Sequence, residues 1–322
     1  MSVRAVAPDG APEVTAGDDL ATLLLSLLPA DGPDALADGD VVVVTSKVVS
    51  KAEGRVVPGT REEHLPAETA RVVARRGPTT IVRTHHGLTL AAAGIDASNV
   101  ATGSAVLLPL DPDASARRLR AELHRRSGRV VGVVVTDTAG RAWREGQTDI
   151  AVGAAGLVVA ESFAGRTDAH GNDLVVTAPA VADEIAGLAE LAQGKLGARP
   201  FAVVRGRADL VLPAGDDGTG AAALVRAEGG DLFGYGAREA VVRAVAADAD
   251  PRPFGAPVGA ADLVALLHEV LGVVARVVEA DVTEVAVPTS DPAVAARAAV
   301  LAFAHGWTPV TTADLRFRPV TP

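Results

Sequence analysis

The 322-residue chain contains no cysteine, which excludes disulfides, thiolate catalysis and cysteine-ligated zinc. Aromatic residues amount to 3% of a chain that is 48% hydrophobic, so its core has to be assembled from valine, alanine and leucine. No uninterrupted apolar run approaches the roughly 18 residues of a membrane helix. The N-terminal MSVRAVAPDGAPEV lacks the basic-then-apolar profile of a signal peptide. Together these absences predict a soluble cytoplasmic protein with no membrane partner. A basic surplus is also missing: the formal net charge is −10, which argues against a general nucleic-acid surface. A phosphate site built from a few local cations stays compatible with that charge. An acidic pocket handles a polyphosphate only with cations in between, which points to Mg²⁺ or Mn²⁺. No G-x-x-x-x-G-K-S/T loop occurs, and neither an internal repeat nor a long low-complexity segment is present.

What is present is organised around residues 40–55, DVVVVTSKVVSKAEGR. The four valines at 41–44 predict a strand covered on both faces. Thr45, Ser46, Lys47, Ser50 and Lys51 then put donors and positive charge where the rigid scaffold stops, a suitable place for phosphates. The alternative is that both lysines are solvated strand-end residues. In AAAGIDASN (91–99), Asp96 and Asn99 lie among small residues that let backbone approach a ligand. Asp96 could meet a cation and Asn99 a phosphate or sugar, or the pair could simply form an Asx-turn or cap. A second apolar strand at 130–135 delivers Asp137 and Thr138 to an open edge, an arrangement that can hold hard divalent ions but also fits an acidic turn. In the polar loop that follows, Arg144 could grip a carboxylate or phosphate bidentately.

The remaining pattern predicts helices at 20–28 (capped by Asp18 or Asp19), 65–76, 115–127, 181–194 and 237–247, and strands at 81–84 and 201–204. His85-His86-Gly87 reads as a turn, Asp183 and Glu184 complement a helix N-terminus, and 216–220 reads as a flexible linker. Prolines and glycines from Pro251 to Gly259 mark a boundary, giving domains 1–250 and 251–322. The tail reads as a small α/β appendage, with helices at 261–274 and 292–305 and strands at 283–287 and the end. His268 and His305 fall within helical patterns as structural residues.

The segments TSKVVSKAEGR, AGIDASN, VTDTAGRAWREGQTD and DAHGNDL…VADEIAGLAELAQGK…AVVRG, in this order, resemble the coenzyme F420:L-glutamate ligase (CofE) family, also found as the N-terminal half of FbiB-type proteins. The resemblance spans about residues 11–243. It implies a CofE-like α+β ligase fold with mixed sheets in two subdomains, seen as an intertwined homodimer. It also implies a GTP-dependent amide ligase that adds L-glutamate to coenzyme F420-0 and extends a γ-linked tail, with two divalent cations and a monovalent one, K⁺. Carried over by motif, the nucleotide would meet Ala11, Pro12, Glu13 and Val14, then Ser46, Lys47, Lys51 and Asn99, with Gln193 and Gly194 completing its site. Asp96 and Asp137 would bind one metal and Thr138 the second. Gln193-Gly194-Lys195 stands where other members carry a Gly-Glu pair, so a carboxylate metal ligand is not expected there. FbiB-type proteins continue into an FMN-binding domain; the tail here lacks that texture, so neither FMN nor reductase activity is expected. Arg144, with Arg141 beside it, is the candidate for the developing acyl phosphate, and His85, His86 or Asp149 for the proton acceptor. A related amide ligase on another acid, or a GTP- or deazaflavin-binding regulatory module, is the competing reading.

Overall fold

Residues 41–44 are each at most 1% exposed in the computed structural model, and they run through the middle of a five-stranded sheet. The structure describes residues 2–247, 250–279, 282–310 and 314–320. Along the first part of the chain come β1 (Arg4–Val6), α1 (Leu20–Leu27), β2 (Val41–Thr45), α2 (Ser46–Ala52), β3 (Val56–Pro58) and α3 (Arg61–His64). Next are β4 (Thr69–Arg76), β5 (Thr79–Thr84), β6 (Thr89–Ala91), β7 (Ser104–Val106) and α4 (Pro112–Ser127). β8 (Gly132–Gly140), β9 (Gln147–Ala155), α5 (Val181–Gln193) and β10 (Phe201–Arg205) complete this part.

The main sheet has the order β1-β10-β2-β8-β9, with β2 and β8 parallel and the other pairs antiparallel. Side chains alternate across a strand. Val42 and Val44 therefore pack with Leu24 of α1 and Leu119 and Leu123 of α4, while Val41 and Val43 pack with Val181, Ile185 and Ala189 of α5. Helices on both faces explain why β2 is an unbroken apolar run instead of an alternating one. At its start, the fully buried Asp40 accepts two hydrogen bonds from the Arg205 guanidinium, both at 2.6 Å, which satisfies a charge that would otherwise be costly there.

The compact units are Met1–Arg71 with Ile81–Val225, and Val72–Thr80 with Arg226–Pro322. The division after Val225 falls upstream of the boundary expected near residue 251, and the tip of the β4–β5 hairpin groups with the second unit. That unit contains α6 (Ala237–Ala246), α7 (Ala260–Leu271), β11 (Arg276–Val278), β12 (Glu284–Val287), α8 (Pro292–Ala304), β13 (Trp307–Val310) and β14 (Leu315–Pro319). Its antiparallel sheet, β11-β12-β14-β13, is covered by a core of Leu263, Leu267, Val285, Ala298, Ala302, Trp307 and Phe317. The α6 carboxylate of Glu239 accepts the Arg75 amide at 2.8 Å, so residues upstream of 251 are integral to this unit. His305, at the C-cap of α8, shares a 2.7 Å hydrogen bond with the Leu301 carbonyl, a structural role.

Three expectations are corrected. The helix expected over 65–76 is a strand, β4, that forms a hairpin with β5 through Gly77-Pro78. Gly77 has φ +56°, and the two-residue turn joins runs rich in Thr and Val, so pairing overrides the alanine spacing that suggested a helix. Residues 216–220 are no loose linker: the buried Arg120 guanidinium donates to Asp216 O and Asp217 Oδ1 at 2.8 and 3.0 Å. Asp137 and Thr138 do not sit on a turn after a strand; β8 continues through them to Gly140.

Candidate active site

Thr45 ends β2 and stands at the N-cap position of α2, with no loop between. Lys47 and Lys51 are four residues apart on this short helix and share a face. Register decides the rest. Thr45 of β2 lies opposite Thr136 of β8, so the next residues, Ser46 and Asp137, come together. The Ser46 hydroxyl donates to Asp137 Oδ1 at 3.1 Å. On the other side β8 pairs with β9, Thr138 facing Asp149, and the register skips one residue between Val135 and Thr136. The Thr136 and Thr138 hydroxyls donate to the two oxygens of the buried Asp149 at 3.0 and 2.7 Å.

The loop 92–99 is brought against this strand edge. Gly94 has φ +71°, and a Cβ there would stand 2.9 Å from Leu108 Cδ1 and 3.1 Å from Asp137 Oδ2, so only glycine lets the backbone approach this closely. Ala92, Ala93 and Asn99 also have positive φ, a concentration of left-handed non-glycine residues in one cavity-lining loop. Asp96 forms the Asx-turn, accepting the Ser98 amide at 2.7 Å, and also a 2.6 Å ion pair with Lys47. Lys47 donates in addition to Ser98 Oγ at 2.8 Å. Lys51, only 5% exposed, donates to Asn99 O at 2.7 Å and pairs with Glu13.

These groups line one cavity of about 1050 Å³ within the first unit. Its wall includes Ala11, Pro12, Glu13 and Val14, then Ser46, Lys47, Lys51, Asp96 and Asn99, then Asp137, Thr138, Asp149, Gln193 and Gly194. The structure thus brings together the residues named for nucleotide and metal. Of the three catalytic candidates it places only Asp149 there. Arg144 lies in the exposed 141–146 loop, and His85 is exposed with its Nε2 3.1 Å from Ala67 O; neither lines the cavity. His86 Nε2 is within 2.9 Å of Pro109 O.

Sequence reasoning missed Arg61, Thr136, Glu190 and Arg199 on this wall. Glu190 was legible in principle, since it precedes Gln193 by three residues on α5. Arg199, held by Asp9 at 2.6 Å, carries no local signal. Asp183 does more than complement its helix, because it accepts the Ala151 amide at 2.9 Å.

The electrostatics differ sharply between the carboxylates. Burial opposes ionisation of Asp96, but the Lys47 ammonium and the Ser98 amide outweigh it and hold its carboxyl below the usual range. Burial pushes Asp137 up to about 7, the Asp149 and Asp96 charges add to the rise, and the Ser46 hydroxyl and Thr138 amide only partly oppose it. A carboxylate in that state gains most from a bound cation. Among the described residues no cluster of three or more His, Cys, Asp or Glu forms a complete metal cage. The donor set nevertheless fits a hard divalent ion of the Mg²⁺ kind, which takes one or two carboxylates and completes its shell with water and substrate phosphates. Gln193, 1% exposed, lines the cavity, and its two amide atoms have no hydrogen-bond partner among the described residues.

A large cavity of mixed charge on an α+β scaffold, lined by both carboxylates and lysines, has the character of a small-molecule site. The sequence profile of the F420-0:Gamma-glutamyl ligase family matches residues 10–76 and 61–206. The chain is 40% identical over 228 residues to the coenzyme F420:L-glutamate ligase of Archaeoglobus fulgidus, covering 64% of this chain and 88% of that protein. It is 38% identical over 229 residues to the protein of that name from Methanothermobacter thermautotrophicus (64% and 90% covered). With the one from Halobacterium salinarum the identity is 38% over 271 residues (76% and 94% covered). The chain belongs to the F420-0:gamma-glutamyl ligase family.

Proposed function

We propose that this chain is a GTP- and divalent-metal-dependent ligase that joins L-glutamate to coenzyme F420-0 through an acyl phosphate and then extends a γ-linked tail. Family membership supports the glutamate ligation. The observation that carries the rest is the convergence of Asp96 and Asp137, from separate segments, on one cavity with Lys47 and Lys51.

A carboxylate does not react with an amine until its oxygen becomes a leaving group, which transfer of the GTP γ-phosphoryl provides. Catalysis of that transfer is mostly positioning and charge. Lys47 and Lys51 would exchange their present partners, Asp96 and Glu13, for phosphate oxygens. Asp137, with Asp96 beside it and the Thr138 hydroxyl, would hold Mg²⁺ or Mn²⁺. When bound, such an ion offsets the triphosphate charge and polarises the phosphoryl group. Gln193 and Gly194 at the end of α5, with Asn99 and the 11–14 loop, would fix the nucleotide. The glutamate amine then attacks the acyl carbon, phosphate leaves, and the ammonium proton passes to a base. Asp149 is the candidate inside the cavity, with Thr136 and Thr138 orienting its carboxylate. Homodimer assembly and a K⁺ requirement follow from the resemblance alone.

The test is product analysis. GDP and phosphate release that requires both glutamate and coenzyme F420-0, with mass spectrometry showing the glutamyl adduct, is the expected result. GTP hydrolysis with neither present would favour a related ligase on another acid or a GTP- or deazaflavin-binding regulatory module.

A further inference from the structure

Lys195 follows Gly194, the residue that closes α5 with φ +62° and turns the chain back over the cavity. Its ammonium lies 2.9 Å from Thr138 Oγ1, 2.6 Å from Glu190 Oε1 and 3.7 Å from Asp149 Oδ1. Thr138 is the residue to which the resemblance assigns the second divalent ion. Here its hydroxyl gives its one proton to Asp149 and one of its two lone pairs to Lys195, so an ion at that oxygen would stand beside the ammonium. The position that a second ion would neutralise is thus occupied by a positive charge the chain carries itself.

The charges around the cavity agree. At the β8–β9 end, Asp137, Asp149 and Glu190 face Lys195, which leaves two formal negative charges, those matched by one divalent ion; elsewhere on the wall Lys47 and Lys51 pair with Asp96 and Glu13, and Arg61 and Arg199 add positive charge. That excess is not spread evenly. Lys47 serves Asp96, Lys195 serves Asp149 and Glu190, and Asp137 has only a hydroxyl and an amide for support.

We propose that the Lys195 ammonium stands where a second divalent cation would, so that this chain takes one Mg²⁺ or Mn²⁺ at Asp137 for each bound nucleotide. The inference rests on the metal-dependent reading above and changes its stoichiometry. Because Lys195 is 61% exposed, replacing it removes charge without opening the core, and circular dichroism checks that the variants fold.

The experiment counts tightly bound Mn²⁺ by electron paramagnetic resonance in titrations of the full chain, with GTP present and glutamate and acceptor left out. One Mn²⁺ per nucleotide is expected for the native chain and for Lys195→Arg, and two for folded Lys195→Ala and Lys195→Met. Two in the native chain, or one in the folded Ala and Met variants, would overturn the substitution of lysine for metal while leaving metal dependence intact. Absence of tight Mn²⁺ from every form would overturn both.

Discussion

The two walls of the cavity handle charge in opposite ways. On the wall made by α2 and the loops 11–14 and 92–99, each acid has its own ammonium: Asp96 with Lys47, and Glu13 with Lys51. On the wall made by β8 and β9, the acids stand on strands and are supported chiefly by hydroxyls from Ser46, Thr136 and Thr138. The first wall is neutral as folded. The second is held in an electrostatically expensive state that a bound cation would relieve. In the proposed reaction an anion would displace acids from lysines on one side while its counter-cation would satisfy Asp137 on the other.

The sharpest way to break this contrast is Asp137→Asn. It keeps the shape and removes the charge that awaits a cation, so turnover and metal-dependent GTP binding should fall by about 100-fold or more. Steady-state kinetics and calorimetric titration would show it, and near-normal values would end the account of the acidic wall. Lys51→Met tests the basic wall. Losing one charge-assisted contact should weaken GTP binding by about 10- to 100-fold, read as a raised Kd for the nucleotide.

Stability supplies a smaller and oppositely signed effect. Folded Asp137 titrates at about 7, whereas an unfolded aspartate does so near about 4, so between those values the folded chain holds a proton that the unfolded chain has released. Metal-free stability from this group is therefore complete at low pH, declines as pH rises towards 7, and is flat above. Metal-free Asp137→Asn should exceed the native chain at pH 8 by on the order of 1–3 kcal/mol and match it near about pH 4. Denaturant melts decide this, and adding Mg²⁺ should stabilise only the native chain. The smallest effects are expected outside both walls: Arg144→Ala and His85→Ala should each change kcat/KM by less than about 3-fold, since a contact not made costs little. A loss comparable with that of Asp137→Asn in either would show that those loops reach the reacting groups.

Legibility in the sequence followed the locality of the signal. The valine run, the Asp19 cap of α1 and the span of α5 depend on neighbours in sequence and on buried faces, whereas α4 starts at Asp111 and Pro112, ahead of the start expected at 115. The β4–β5 hairpin was misread because alanines between valines fit a helix as well as a strand, and only pairing across Gly77-Pro78 decides. Asp96, Asp137 and the lysines stood out as charged residues after apolar segments, whereas Arg61 and Arg199 have no such contrast around them.

By itself the sequence determined that β2 would be buried on both faces, that hydroxyls and lysines would follow it at once, and that several separated motifs mark one ligase family. Those features lie within short stretches of chain, where spacing and polarity suffice. Only the tertiary structure decided which acid goes unpaired and which cation sits beside Thr138. The reason is register: β2 and β8 end side by side, β9 skips a residue, and α5 closes beneath them, so partners up to 91 residues apart meet at hydrogen-bonding distance.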